Sequence, residues 1–440
     1  MHPHYTTSDS SSHPRTIRIL RRAGAIIGEA AVAGITIALL LELALRLFPA
    51  LIPLPLLVNF EKHLRGEIAA RVHLPLEANA LDVGRDDGGL RLLSYKPNAT
   101  VARPVDGADE RFGAVASVTL DEFGFCNPPG AAGRIDIVAI GDSFTWCTRV
   151  APEDTWTALA SERSGYRIYS LGLGGTEPYG YLQILKRLGL DMSPRAVIMN
   201  IYEGNDFQGA LEYRQYLTQR EREQGGGLER PLGACMALPT TLCRIYRTLK
   251  EGWLGRSSYV FNAAANALRE AVARAREAER PSRRFAVVTA QGEVEFNAAQ
   301  ASDWDGAEKL RAGEADLSVF DDALEEFVIL SRRHGFLPIV TYAPAAFSAY
   351  RKRIHFEDPA VEELANWFSE AQRAYFRAKA GELGYAFIDY TPSLRQAAAG
   401  DALLYFPVNL HLTRAGHQAV AGALQDFLVQ QNILPPQQQR

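Results

Sequence analysis

The sequence predicts an α/β protein built on a parallel sheet with helices on both faces. Three observations carry this expectation. From Arg134 onward, five short apolar runs alternate with helical stretches, which is the pattern of a parallel sheet covered on both sides. The first run, Ile135–Ile140, ends abruptly at Gly141 and is followed by Asp142 and Ser143. In open α/β sheets the carboxyl ends of the strands are where ligands and chemistry sit. Near the N-terminus, Ala23–Leu41 holds nineteen residues with a single charge, Glu29.

Taken in order, residues 1–22 read as a polar tail carrying Arg15, Arg18, Arg21 and Arg22. Roughly 20 apolar residues span a bilayer, so 23–48 is expected to be a transmembrane signal anchor, stopped by Pro49 and Pro53. The arginines hold the tail in the cytoplasm and leave the rest of the chain outside. No small-x-small cleavage site follows the apolar run, which favours an uncleaved anchor. The alternative is an amphipathic helix lying on a surface, which Glu29 and Glu42 permit.

Residues 55–132 alternate in strand fashion and read as a β-rich lead-in. Strands are expected at Ile135–Ile140, Arg167–Leu171, Ala196–Ile201, Phe336–Tyr342 and Ala386–Asp389. Helices are expected at Thr155–Ser161, Tyr179–Leu188, Val319–Arg333 and Asp358–Leu383, with Ser318 as an N-cap and Asp321 three residues on. Residues 133–206 and 318–431 thus form one domain. Between its third and fourth strands lies an insertion, 207–317, holding an alanine-rich helix from Tyr259 to about Glu279 and a hairpin-like piece, Phe285–Phe296. An excursion of that length inside a sheet domain is usually a cap, a lid or a binding subdomain.

Composition narrows the function classes. Hydrophobic residues make up 47% and charged residues 22% of the 440, enough for a real core. The net charge is −4, and no basic patch interleaved with aromatics points to nucleic acid. The four cysteines, Cys126, Cys147, Cys235 and Cys243, lack zinc-site or CxxC spacing. Nothing else calls for a metal or a cofactor. In an oxidising compartment four cysteines allow three pairings. Cys147 lies four residues past Ser143, Cys126 lies in the lead-in, and Cys235 and Cys243 flank seven residues. The expected pairs are Cys126–Cys147 and Cys235–Cys243; four buried free thiols are the alternative.

The strand ends collect chemistry. Ser143 follows the first, Gly174-Gly175-Thr176 the second, and Gly204-Asn205-Asp206 the third; His411 stands just before the last helix. In a parallel sheet these ends meet on one rim. A serine hydroxyl is a weak nucleophile and needs a base. His411 is the candidate, since imidazole titrates near neutral pH. The oxyanion formed on attack needs donors, which the N–H groups of Ser143 and Gly175 and the side-chain amide of Asn205 can supply.

Gly-Asp-Ser-Phe, a glycine on the second turn, Gly-Asn-Asp on the third and a late histidine resemble the SGNH (GDSL-type) hydrolases. Ser143, Gly175, Asn205 and His411 fall on the four named positions in the family's order. The likeness spans roughly Arg134–Asp206 and Phe336–Leu428 and leaves out the lead-in and the insertion. It implies a flavodoxin-like three-layer α/β/α fold with a five-stranded parallel sheet, metal-free Ser-His catalysis, and action on acyl esters. An anchor ending in Leu-Glu-Leu-Ala-Leu-Arg-Leu-Phe is common on bacterial envelope members. The expectation is therefore an inner-membrane, periplasm-facing hydrolase acting on an envelope glycan or lipid. Its alternatives are a polysaccharide O-acetyltransferase and a catalytically inactive glycan-binding pseudoenzyme.

Two positions depart from the family pattern. Where an Asp usually precedes the histidine, this chain has Val408 and Asn409, and Ser170 stands where Asn is frequent. Three arrangements remain open: the side-chain carbonyl of Asn409 orients His411, a backbone carbonyl does so in a dyad, or the site is weak. Asp389 is a further candidate, as a displaced triad acid. His417 reads as structural, Asp206 as a loop support, and Arg351, Lys352 and Arg353 as a solvated basic cluster.

Overall fold

The computed structural model describes residues 13–52, 80–85, 91–95, 97–104, 115–131, 133–224, 248–249, 252–278, 282–296 and 301–430. Its centre is a five-stranded parallel sheet of β1 (Ile137–Gly141), β2 (Ile168–Ser170), β3 (Ala196–Tyr202), β4 (Leu337–Ala343) and β5 (Ala386–Asp389). The spatial order is β5-β4-β3-β1-β2, the flavodoxin-like order of doubly wound folds. All five expected strands are present, with ends moved by two residues or fewer.

Both faces of the sheet are buried, so its strands are apolar throughout rather than alternating. Val138 and Ile140 of β1 point into one core with Tyr181, Leu182, Leu324 and Phe327. Ile137 and Ala139 point into the other, with Trp156, Ala160, Val420 and Leu424. The helices flanking the sheet begin and end where local chemistry dictates. Thr155 caps Trp156–Ser164 by accepting the N–H of Ala158, and Gly165 closes it in the left-handed region. Asp358 caps Pro359–Leu383 in the same way. The expected Ser318 cap is corrected. Asp316 is the capping residue, accepting the N–H of Ser318, and a short 3-10 turn, Leu317–Phe320, leads into the helix Asp321–His334. Asp321 instead accepts from the Tyr375 hydroxyl.

Asn200, mid-strand on β3, ties the centre together. Its amide donates to Thr145 Oγ1 (3.0 Å), and its carbonyl accepts from Thr341 Oγ1 (2.7 Å) on β4. Thr145 lies in the turn after β1, so the serine-bearing turn is fastened to the middle of the sheet.

The lead-in contains two antiparallel hairpins, Ala80–Arg85 with Arg91–Tyr95 and Thr100–Pro104 with Val115–Thr119. Beyond them, Leu120, Phe125 and Cys126 are buried in the first core. Cys126 is disulfide-bonded to Cys147. Asn127 adds a second tie, accepting the N–H of Ser170 and donating to its carbonyl. Ser170 donates its hydroxyl to the Thr145 carbonyl. The residue that stands in place of the family's Asn therefore braces the serine turn. Cys235 and Cys243 lie outside the described residues.

The insertion does not form one body. Residues 237–273 group with 1–73 as one compact unit, and the remainder belongs to the sheet-containing unit. In that larger unit, Phe285–Thr289 and Gly292–Phe296 form a hairpin, joined by Ile354–Phe356 into a three-stranded antiparallel sheet. Phe285, Val287, Phe296 and Trp304 are core residues of the second cluster.

In the smaller unit a helix runs His13–Leu47. Glu42 accepts the N–H groups of Tyr259 and Val260 and the Ser258 hydroxyl, at the start of the helix Tyr259–Ala278. A carboxylate there satisfies orphan donors and complements the helix dipole. Among the described residues, no helix is long and apolar enough to cross a membrane. The expected anchor, 23–48, is not supported by that measure. Most of its side chains before Val32 lie outside the described residues.

Candidate functional site

The site is built from the turn after β1. Asp142 closes the turn by accepting the Phe144 N–H at 2.8 Å, and Thr148 Oγ1 donates to the Ser143 carbonyl at 2.9 Å. A Cβ at Gly141 would lie 2.1 Å from Thr145 Oγ1, so only glycine lets the strand turn this tightly. The result is a half-buried Ser143 facing the rim.

His411 Nε2 lies 2.8 Å from Ser143 Oγ, across 268 residues of sequence. On the other side of the ring, Nδ1 lies 3.0 Å from the backbone carbonyl oxygen of Asn409. A carbonyl only accepts, so Nδ1 carries the proton and Nε2 is free to take one from the serine. This is the tautomer a general base requires. The ring is held in place by stacking on Phe144 (5.0 Å between centroids), which itself stacks on Tyr202 at 3.6 Å.

Of the three arrangements left open for His411, the geometry matches the backbone carbonyl. The Asn409 side chain does something different: its carbonyl oxygen accepts the His411 backbone N–H at 3.2 Å. Between them Leu410 adopts φ +60°, a left-handed conformation that costs a non-glycine residue about 1–2 kcal/mol. Buried Leu410 and the bond from its N–H to the Phe406 carbonyl hold that conformation. Asp389 does not take the part of a displaced acid. It pairs with Arg373 at 2.7 Å and accepts the Thr391 N–H at the start of the next helix. Replacing Asn409 by alanine should remove this turn-supporting bond, worth about 1 kcal/mol, and lower kcat by no more than about fivefold. If its side chain were the orienter, the loss would be orders of magnitude. Steady-state kinetics on a chromogenic ester separates the two.

The expected donors are placed as follows. Gly175 has φ +77°, a conformation glycine adopts without penalty, and a Cβ at its neighbour Gly174 would lie 3.6 Å from Ser143 Cβ. Gly175 and Asn205 line one cavity. The side-chain oxygen of Asn205 is buried without a hydrogen-bond partner among the described residues. A buried carbonyl oxygen left unpaired is costly, and the fold keeps it while leaving the residue half-buried at the rim.

One buried carboxylate behind the site, Glu203, was not legible as a site component. Glu203, directly before Gly204-Asn205, accepts from the hydroxyls of Ser348 and Ser369 and from the Ala345 N–H. Its backbone N–H binds the Ala343 carbonyl, and its own carbonyl accepts from Gln372. It moors the Asn205 turn to the end of β4 and to the helix Pro359–Leu383. Burial pushes its pKa up to about 7, against the hydrogen bonds that favour the charged form. The only sequence cue was a glutamate at the end of an apolar strand. Asp206 supports its loop, accepting the Tyr202 N–H and the Tyr181 hydroxyl. Burial and the charge of Asp142 raise it well above its ordinary value; burial likewise lifts Asp142 to about 7. Two like charges so close in a dry interior disfavour double ionisation. His417 is a core residue, its Nδ1 accepting the Trp156 N–H, and burial drives its pKa down to about 3.

The Glu203 shift carries a sign. A carboxyl whose folded pKa is raised favours the folded state at low pH and loses that contribution as pH climbs through the folded value. Thermal stability should fall from about pH 4.5, the ordinary glutamate value, to about pH 7, the folded value. Glu203→Gln should flatten that fall, by up to about 3 kcal/mol at one pKa unit per 1.4 kcal/mol. A melting series with the same slope in both proteins would contradict it.

Of the basic cluster, Arg353 is engaged by the carbonyls of Val288, Ala398 and Gly400, and Arg351 by Glu370. Among the described residues, no group of three or more His, Cys, Asp or Glu side chains could hold a metal ion.

No family model and no curated protein matches this chain. Solved structures similar to it include an acetyl xylan esterase, AlAXEase (12% identity, TM-score 0.34, covering 67% of this chain and 100% of that one). A member of the lipolytic protein G-D-S-L family from Veillonella parvula is also similar (11%, 0.30, 67% and 98%). A third is a carbohydrate esterase family 2 enzyme with a carbohydrate-binding domain from Corynascus thermopiles (13%, 0.33, 73% and 71%). Likeness at this level carries no argument about activity. The chain's own strand order and the Ser143–His411 pair at the sheet rim are what characterise it: a flavodoxin-like α/β domain with a serine-histidine dyad.

Proposed function

We propose that this chain is an SGNH-type serine hydrolase that cleaves acyl esters through Ser143. The observation that carries the proposal is the relay from Ser143 Oγ to His411 Nε2 at 2.8 Å, with Nδ1 held by the Asn409 carbonyl at 3.0 Å. In this reading Ser143 Oγ attacks the ester carbonyl carbon while its proton passes to Nε2. The oxyanion is received by the N–H groups of Ser143 and Gly175 and by the Asn205 amide. Collapse expels the alcohol, which takes the proton from Nε2. Water, deprotonated by the same nitrogen, then releases the acyl group as a carboxylic acid. The dyad lacks the charge-assisted bond an aspartate would give the imidazolium, so a lower turnover than that of a triad enzyme is expected.

The natural ester belongs to an envelope glycan or lipid, and the site faces the oxidising side of a membrane to which 23–48 attaches the chain. The Cys126–Cys147 disulfide supports the compartment. Exposed Val32, Ile35, Ile37, Leu39, Leu40 and Leu41 support the attachment. Full-length protein should be recovered in a carbonate-washed membrane pellet; recovery in the supernatant removes that part. For the chemistry, a fluorophosphonate probe should label the protein on Ser143, and short-chain p-nitrophenyl esters should be hydrolysed. Absence of both refutes the hydrolase reading.

A further inference from the structure

A cavity of about 350 Å³ opens beside the oxyanion donors. Gly175 and Glu177 form one wall. Asn205, Gln208, Glu212 and Tyr213 form the other, on one face of the helix Asp206–Gln224 and the residue before it. The volume is at the small end for ligand sites, about enough for a single ring. A long acyl chain would need a longer, apolar groove.

The polar groups of this wall are pre-set. Gln208 Nε2 donates to Glu212 Oε1 at 2.7 Å, and Gln208 Oε1 accepts from Lys309 Nζ at 3.0 Å. These two bonds fix which end of the amide faces the carboxylate. Among the described residues, the network leaves the second oxygen of exposed Glu212 as an acceptor at the rim. Tyr213 is braced by stacking on Tyr179 at 4.5 Å between centroids, so its ring is a rigid wall. Glu177 faces the cavity from below, its carboxylate accepting the N–H groups of Tyr179 and Gly180. A second methyl-sized group has no room there, since a Cβ at Gly209 would lie 2.9 Å from Glu177 Cβ. Carboxylate acceptors, a fixed amide and an aromatic wall suit a ring bearing several hydroxyl donors. The exposed Glu212 carboxylate on the lining opposes an anionic ring; burial pushes the Glu177 carboxyl up to about 7, so it adds little to that charge near neutral pH.

We propose that this cavity is the alcohol-side subsite, that it receives one sugar ring, and that it selects neutral or amino sugars over uronates and phosphorylated sugars. The inference rests on Ser143 being the nucleophile. The ring's esterified hydroxyl would present the acyl carbonyl to Ser143 and to the donors at Gly175 and Asn205. Glu212 is a specificity-determining residue here and does not touch the reacting atoms.

The full-length protein tests this with acetylated cello-oligosaccharide, acetylated chitosan oligosaccharide, acetylated oligogalacturonate and p-nitrophenyl acetate. Wild type should favour one of the first two over the uronate by at least about tenfold in kcat/KM. Glu212→Ala should raise KM for the favoured sugar ester about tenfold at nearly constant kcat, a much larger change than the one it makes on p-nitrophenyl acetate. Glu212 is exposed, so the variant is expected to fold. An unchanged KM, an equal loss on both ester types, or preference for the uronate overturns the proposal. A separate arm reads the subsite without chemistry: the deacetylated oligosaccharides should bind Ser143→Ala protein, and adding Glu212→Ala should weaken that binding about tenfold. Sugar binding that survives while all esters remain uncleaved would reject the nucleophile and keep the subsite; ester cleavage without sugar selectivity would do the reverse.

Discussion

Alanine at position 143 is expected to lower kcat on short acyl esters by about 10⁴–10⁶, the loss seen when the nucleophile or base of a serine hydrolase is removed. His411→Ala should cost about as much, and the double variant little more, because the two side chains act as one unit across a 2.8 Å hydrogen bond. The fold should hold in Ser143→Ala. The side chain is half-buried, and the turn around it is kept by the Asp142–Phe144 and Asn200–Thr145 bonds, which do not involve the serine hydroxyl. Rates on p-nitrophenyl acetate, with melting temperatures as the control for folding, check this. Activity in Ser143→Ala within about tenfold of wild type would remove Ser143 as nucleophile. A full effect at Ser143 with none at His411 would point to another base.

The second large effect is expected at Asn205. Removing a single oxyanion donor typically lowers the rate by about 10²–10³. As the proposed donor, Asn205 would meet charge that exists only in the transition state, so Asn205→Ala should show that loss in kcat, with KM changed by only a few-fold. The same substitution removes a buried carbonyl oxygen that has no partner among the described residues, so stability should be unchanged or slightly increased. Lower activity together with equal or higher stability is a combination that a merely structural asparagine would not give. Loss of both together would assign Asn205 to the turn alone.

The fold was legible because its signals are local. Each sheet strand is a short apolar run bounded by turn residues, and burial on both faces makes that run continuous. Glycine at 165, 335 and 384 marks helix ends because the left-handed region there favours it. The insertion was harder to read. Phe285, Phe296 and Trp304 look like any surface-domain aromatics in sequence, yet they fill the same core as Trp156 and Leu424. Ser318 carried a capping pattern, but the helical turn starts before it, and Asp316 two residues earlier caps it by accepting the Ser318 N–H. Local patterns do not register which of two nearby acceptors the backbone will face.

By itself the sequence determined the strand succession, the serine at the first strand end, the glycine and asparagine at the next two, and a late histidine. Those follow from periodicity and from the rule that parallel strands deliver their carboxyl ends to one rim. Only the tertiary structure decided what holds His411. The orienting group is a backbone carbonyl, which every residue possesses and no sequence can flag, and it reaches Nδ1 because Leu410 is held at φ +60° by its burial. The mooring of Asn205 through Glu203 was equally hidden, since its partners Ser348, Ser369 and Gln372 lie 145 or more residues away. Contacts of that range are set by packing, and packing is a property of the folded chain.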